Sequence, residues 1–593
     1  MHNQIMKKHG SRSLLVLLSL GSSLLAQTVK TDPAAAIDIQ FVGKPGPVAT
    51  TAVEAFRRHL RTRCGTAFAM AGSGPLKLRL QVDTTLPPQA FEILDQGPQV
   101  VRIAGGDEQG VLYGVGRFLH TSVLQPGRFT PSTWRGKSVP DKPVRCSYYA
   151  THFNNWYHVA PLDEIRDYTQ DLALWGNNGL AVWLDMNKYR SIADPECIKM
   201  IARLKAMMAF GKQAGMSISL VSISNEGYSS TPEALKADWR PHPEAGIIAE
   251  LGAHYHVEIC PSKPGGTELI LKQFREKIAA FRDVGIDEIC FAAYDPGGCT
   301  CPDCRPWGYN GCLKICEKQA RIFRGLYPHG KVCLSVWYFD SFAVGEWEGL
   351  TRAFARRPDW LDYLVIDDNT HEWPKYPREH GVPGGLPAIG FPEISMFSLV
   401  PAESPWGGFG ANPFPNRLER YWAGCSKHIM GGAPYSEGIF EDMNKVILAQ
   451  LYWQSDRKID DIVAEYAGFE YGPQVVSEVV RAARLLDKTI LRTILRTKEE
   501  VGWQIIDSAD VPRAAGLLEE ANAKLPPKVQ ASWRWRILYL RSQLDLELAS
   551  HGGFCTPRCE SMFQELTKIY HAETADTIVA PPTAERRRAN RGR

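Results

Sequence analysis

A (β/α)8 TIM barrel, preceded by a small α/β domain and followed by a helical domain, is the α/β architecture that this sequence predicts, on three observations. Between residues 143 and 455, eight short apolar, β-compatible runs alternate with stretches of helical periodicity. No glycine-rich phosphate fingerprint follows the first of those runs, which argues against an open doubly wound sheet. The chain has 593 residues, too many for one core, and its pattern changes character near residues 140 and 460, as three domains require.

The elements follow in order. Residues 1–26 read as a secretory signal: Lys7, Lys8 and Arg12 form a basic start, Leu14 to Leu20 an apolar centre, and Ser22 to Ala26 a small-residue end. This predicts an exported protein, periplasmic or extracellular, and no second run is long enough to span a membrane. An N-terminal α/β domain is expected over 28–138. Its strands are Ile37–Phe41, Leu76–Val82, Phe91–Leu94 and Val100–Ala104, and its helices run from Ala49 to Cys64 and from Gly110 to Leu119.

The barrel is expected over 143–455. Its strands are Val144–Ala150, Gly179–Leu184, Ser217–Ser224, Glu288–Tyr294, Lys331–Tyr338, Asp362–Asp368, Leu386–Ile394 and His428–Pro434. The helix between the sixth and seventh strands is the weakest of the set. A helical domain without strands is expected over 459–570, and a disordered basic tail over 581–593.

The net charge of +3 owes much to the terminal run from Arg586 to Arg593, so the body carries no general nucleic-acid-binding surface. Sixteen Trp and twenty-one Tyr supply flat faces suited to sugar rings, although most aromatics in a chain this long fill cores.

Chemistry in a parallel barrel sits at the C-terminal tips of the strands. There the sequence places Asn225-Glu226 after strand three, Asp295 after strand four, Asp367 and Asp368 after strand six, Glu393 after strand seven and Glu437 after strand eight. Any one of these acids also fits a turn cap or an ion pair. Their coincidence on successive strands carries the functional reading, because converging carboxylates raise one another's pKa and leave a proton available at neutral pH. Glycosidic cleavage uses that pairing, one carboxyl protonated and one ionised. Tyr149, Asn154, Trp183, Trp337, Trp373 and Trp406 lie near the same tips and are candidate sugar contacts, together with Glu226, Asp368 and Glu437. His254 and His256 in the third loop are further candidates.

Five of fourteen cysteines, Cys299, Cys301, Cys304, Cys312 and Cys316, crowd into the loop and helix after strand four. Cys299, Cys301, Cys304 and Cys312 could hold a structural zinc ion, or the group could form local disulfides. Both readings stay open here, and neither makes the thiols catalytic.

The motif R-I-A-G-G-D-E-Q-G-V-L-Y-G-V-G-R-F-L, residues 102–119, resembles the end of the non-catalytic domain that precedes the barrel in family 20 hexosaminidases and family 67 α-glucuronidases. The strand-tip acids resemble those of the family 67 barrel. That resemblance implies Asp295 as general acid and Asp367 with Glu393 as the groups activating water, although the strand-four acid of that family is Glu. Family 20 and family 84 enzymes carry an adjacent acidic pair on strand four, which Tyr294-Asp295-Pro296 lacks. The function expected is an exported, exo-acting glycoside hydrolase releasing a terminal uronic acid or N-acetylhexosamine from an oligo- or polysaccharide, without a catalytic cofactor. The alternatives are a catalytically silent glycan-binding protein on the same fold and a metal-dependent enzyme that uses the cysteine loop.

Overall fold

The computed structural model describes residues 37–65, 75–152, 154–240, 257–294, 298–367, 373–394, 406–573 and 580–589. Near its centre is a closed barrel of eight parallel strands: β8 (Val144–Tyr149), β9 (Gly179–Trp183), β10 (Ser217–Ile223), β11 (Glu288–Ala292), β12 (Lys331–Ser335), β13 (Tyr363–Ile366), β14 (Ala388–Gly390) and β15 (Gly431–Gly432). Seven more strands, β1 to β7, precede it. Closure comes from β15, which pairs with β14 through Gly390 and Gly432 and with β8 through Gly431 and Val144. A two-residue continuation, β16 (Tyr435–Ser436), pairs with Tyr148 and Tyr149 of β8.

A helix follows each barrel strand. After β13 it is only the six-residue Lys375–His380, where helical periodicity in the sequence is weakest. The last, Asp442–Trp453, is buried along its whole length because the barrel and both flanking domains close over it. No helix among the described residues is long and apolar enough to cross a membrane.

The N-terminal domain is a five-stranded sheet in the order β1 (Ile37–Phe41), β2 (Leu76–Val82), β4 (Val100–Gly105), β3 (Phe91–Asp95), β7 (Gly136–Ser138). A hairpin of β5 (Val123–Gln125) and β6 (Arg128–Thr130) stands apart from it. Helices Pro47–Cys64 and Glu108–His120 pack between this sheet and barrel helix Leu162–Leu174. Asp107 starts the second helix by accepting the Gly110 N–H at 2.7 Å, the usual service of an N-cap carboxylate. At Gly116 a Cβ would stand 2.1 Å from the Leu174 carbonyl, so this glycine of the 102–119 motif marks a backbone-to-backbone docking point on the barrel.

The C-terminal part has helices Ile459–Glu470, Val476–Lys488, Val511–Lys524, Trp533–Ser550 and Pro557–Ile569. Two expectations fail here. The domain expected without strands contains an antiparallel hairpin, β17 (Arg492–Arg496) and β18 (Val501–Ile505), whose Trp503 packs on Phe409 at 5.4 Å. The tail read as disordered is ordered through Ala589: Pro581 to Thr583 are buried, and Arg586 and Arg587 bond to the carbonyls of Ala572 and Pro582. Buried prolines and two guanidinium anchors outweigh the repulsion of the arginine run.

Candidate active site

Inside the barrel the side chains are small. Cys146, Ala181, Cys290, Ala292 and Cys333 face the axis and leave a cavity of about 480 Å3, within the range of small-molecule sites. At the N-terminal end the floor is Glu288, which accepts the Tyr363 hydroxyl and whose carboxyl is raised by burial. The C-terminal end is aromatic. Tyr148, His152, Trp183, Tyr294, Trp337, Tyr338, Phe391 and Tyr435 line it, together with the carboxylate residue Glu393.

His152 anchors one side of this mouth. It is buried, its Nδ1 lies 3.4 Å from the Tyr148 hydroxyl and its Nε2 3.3 Å from the Tyr435 hydroxyl, and its ring lies 4.2 Å from that of Trp183. Tyr435 links it to the acids. Its hydroxyl donates to Glu437 at 2.8 Å, and its backbone bridges to Glu393 in parallel register. Glu437 is fully buried, and its own N–H donates to Glu441. On the opposite wall Trp337 stacks on Tyr338 with centroids 3.9 Å apart. Tyr338 holds φ at +62°, a left-handed conformation that costs a non-glycine residue free energy and concentrates at functional sites.

Of the expected catalytic acids, Glu393 lines the cavity and Asp367 is buried at the end of β13, where its charge reaches Tyr421, Cys425 and Tyr452. Asp295 and Asp368 lie outside the described residues, as do His254, His256 and the side chain of Trp406. The side chain of Tyr294, which precedes Asp295, is well anchored. Its hydroxyl donates to Glu346, a carboxylate that also takes the Gly308 N–H at 2.7 Å.

Several expected contacts are corrected. Tyr149 points away from the axis, stacked on Tyr157 at 4.1 Å and bonded to Thr169; strand alternation turns Tyr148 inward in its place. Trp373 is buried against His428 at 5.6 Å, outside the cavity wall. Glu226 also stands behind that wall. It accepts the Met186 N–H at 2.7 Å and the Trp183 indole N–H at 3.4 Å, and pairs with Lys277 at 3.5 Å, so it orients Trp183. Asn154 is exposed beside Asn155, which caps the short helix Trp156–Val159. Trp183 and Trp337 stand where the sequence places them, on the cavity wall.

His152 stands at the strand-one tip with Tyr149 and Asn154, and of the three it is the one on the cavity wall. Asp185 lies one residue beyond the predicted end of strand two at Leu184, and local pattern does not single it out. Asp185 is buried beside Glu226, and burial first, then the Glu226 charge, push its carboxyl well above the usual carboxylate range, with Lys188 at 3.7 Å acting against them. The strand-tip rule extended by one residue would have found it.

The cysteine expectation is changed in one member. The sulfurs of Cys260, Cys299, Cys301 and Cys304 all lie within 4.8 Å of one another. Cys312 is not among them: as the first residue of helix Cys312–Leu326 it faces Cys316 one turn on, at 3.5 Å.

No family model and no curated protein matches this chain. Solved structures do match. A family 89 glycoside hydrolase from Clostridium perfringens superposes with a TM-score of 0.57 at 12% identity, covering 88% of this chain and 62% of that one. A family 115 4-O-methyl-α-glucuronidase with specificity for decorated arabinogalactans gives 0.56 at 11% identity, over 90% and 75%. A family 138 enzyme targeting pectin rhamnogalacturonan II gives 0.53 at 10% identity, over 93% and 76%. At these identities the likeness is one of fold: a parallel eight-stranded barrel with domains on either side.

Proposed function

We propose that this chain is a glycoside hydrolase, exported to the periplasm or beyond, that removes a terminal sugar, a uronic acid or an N-acetylhexosamine, from a glycan. The observation that carries the reading is the aromatic-walled cavity that opens at the C-terminal end of the barrel, whose lining brings Glu393 beside Tyr435 and a buried His152, with Glu437 behind the wall accepting the Tyr435 hydroxyl. Flat rings on opposing walls suit a pyranose, and the polar groups of His152 and Tyr148 suit its hydroxyls. The glycoside hydrolases among the structural neighbours support the same class.

In the chemistry proposed, Asp295 protonates the glycosidic oxygen as the bond to the anomeric carbon breaks. Glu393 takes a proton from the water that attacks that carbon, and Asp367, buried at the next strand tip, is the second acid proposed to assist it. A separation of about 6.5–9.5 Å between acid and base would give inversion, and about 5–5.5 Å retention.

The test is hydrolysis of a panel of aryl glycosides and oligosaccharides carrying terminal uronic acids or N-acetylhexosamines. Glu393→Gln should lower kcat by about 10²–10⁴-fold on the best substrate while leaving binding and the unfolding midpoint near wild type. Binding of a glycan by wild type with no turnover of any panel member would replace this proposal with the silent glycan-binding reading.

A further inference from the structure

Cys260, Cys299, Cys301 and Cys304 come from two loops at the C-terminal end of the barrel, one after β10 and one after β11. Cys260, Cys299 and Cys304 are essentially inaccessible and Cys301 is half-buried. Tetrahedral zinc bonded to thiolates at about 2.3 Å requires neighbouring sulfurs to stand about 3.8 Å apart. Here Cys260 Sγ lies 3.8 Å from that of Cys301 and 3.9 Å from that of Cys304. A disulfide would bring two of the sulfurs to about 2.05 Å. The observed spacing is that of four ligands around a common centre.

The surroundings are built for the same purpose. The Asn225 side chain, at the tip of β10, donates to the carbonyls of Ile259 at 3.2 Å and Gly298 at 3.0 Å and accepts the Gly298 N–H at 3.3 Å. One amide thus fixes the residues immediately before Cys260 and Cys299. Ser262 Oγ lies 3.1 Å from Cys304 Sγ, the outer hydrogen bond that a metal-bound thiolate commonly receives. The Cys260 N–H is tied to Leu235 at 2.9 Å and the Thr300 N–H to Asp238 at 2.6 Å, so a third segment braces both ligand loops.

We propose that these four cysteines form a structural Zn²⁺ site that clamps the loop after β11, which carries Cys299, Cys301 and Cys304, to the loop after β10. All four positions are filled by protein thiolates, which leaves no place for substrate or water on the ion, so the site holds the fold of the loop and performs no chemistry. Closing the long loop between Cys260 and Cys299 is where a clip removes most freedom from the unfolded chain. The cysteines act as positioning residues.

Three measurements on the full-length protein test this. Protein purified without added metal or chelator should carry about one zinc per chain by elemental mass spectrometry, with an X-ray absorption spectrum showing four sulfurs at about 2.3 Å. Cys260→Ser should lose zinc to a competing chelator at least tenfold more readily than wild type, whereas Cys312→Ser should retain it like wild type. Should C260S not fold, wild type still decides. Alkylation under denaturing conditions without reductant should modify Cys260, Cys299, Cys301 and Cys304. Disulfide-linked peptides joining any two of them in metal-free protein would overturn the proposal, as would zinc lost from C312S and kept by C260S. Neither result depends on whether any glycan is hydrolysed.

Discussion

At the residue scale, the groups around the mouth of the barrel are governed by burial. Glu346 supports Tyr294 and so the base of the strand-four tip. Its carboxyl is pushed up to about 8, chiefly by burial and against the hydrogen bonds from Tyr294 and Gly308. The consequence for stability has a definite sign. Between about pH 4.5 and pH 8 the folded chain keeps a proton that the unfolded chain has released, so this group makes stability fall as pH rises, by about 1.4 kcal/mol per pH unit at most. Glu346→Gln removes the titration while keeping the shape. Urea midpoints between pH 5 and 8 should decline less steeply for the variant than for wild type; parallel declines would show that Glu346 is ionised in the fold.

At the element scale, the barrel depends on a seam only two residues wide. Gly431 pairs with Val144 at φ +135°, and a Cβ there would stand 1.7 Å from the Val144 carbonyl oxygen. No rotamer change relieves a clash with backbone. Gly431→Ala is therefore expected to part β15 from β8, with a loss on the order of 3 kcal/mol or more, beyond the usual range for a point substitution. Chemical denaturation would measure it, and a change under 1 kcal/mol would mean that the seam adapts. Since β16 continues from this seam to carry Tyr435 and Glu437, the variant should also weaken glycan binding.

At the scale of the whole molecule, one charge network joins the three domains. Arg534, on C-terminal helix Trp533–Ser550, pairs with Asp442 at 2.8 Å and with Asp171 at 3.1 Å, both on barrel helices. Asp171 in turn takes Arg58 and His59 from N-terminal helix Pro47–Cys64, at 2.5 and 2.9 Å. Burial holds the His59 ring below its ordinary pKa, so Arg58 and Arg534 supply the positive charge. Removing one partner from a buried network strands the others, at a cost of about 3–5 kcal/mol. Arg534→Met should lower the melting temperature and split a single calorimetric transition into two, because the C-terminal helices lose their tie to the barrel. A single unshifted transition would show that apolar packing alone couples the domains.

Periodicity along the sequence was enough to predict the barrel, since a strand buried on both faces must be apolar throughout and a helix covering it must be apolar on one side, wherever the partners come from. The same logic put Glu393, Trp183 and Trp337 near one end of the barrel. Local pattern does not fix the phase of a strand, so it does not tell Tyr149, which faces outward, from Tyr148, which faces the cavity. Nor does it reveal which distant segment a side chain meets. Cys260 lies 39 residues before Cys299, and only the packing of the β10 and β11 loops chooses it over Cys312. Trp373 and Glu226 lie near the strand tips in sequence but are held elsewhere, one against His428 and the other by Lys277. The hairpin at Arg492 to Ile505 and the ordered arginine-rich end were decided by tertiary contacts too, because burial against Phe409 and bonds to Ala572 and Pro582 override what the isolated segments prefer.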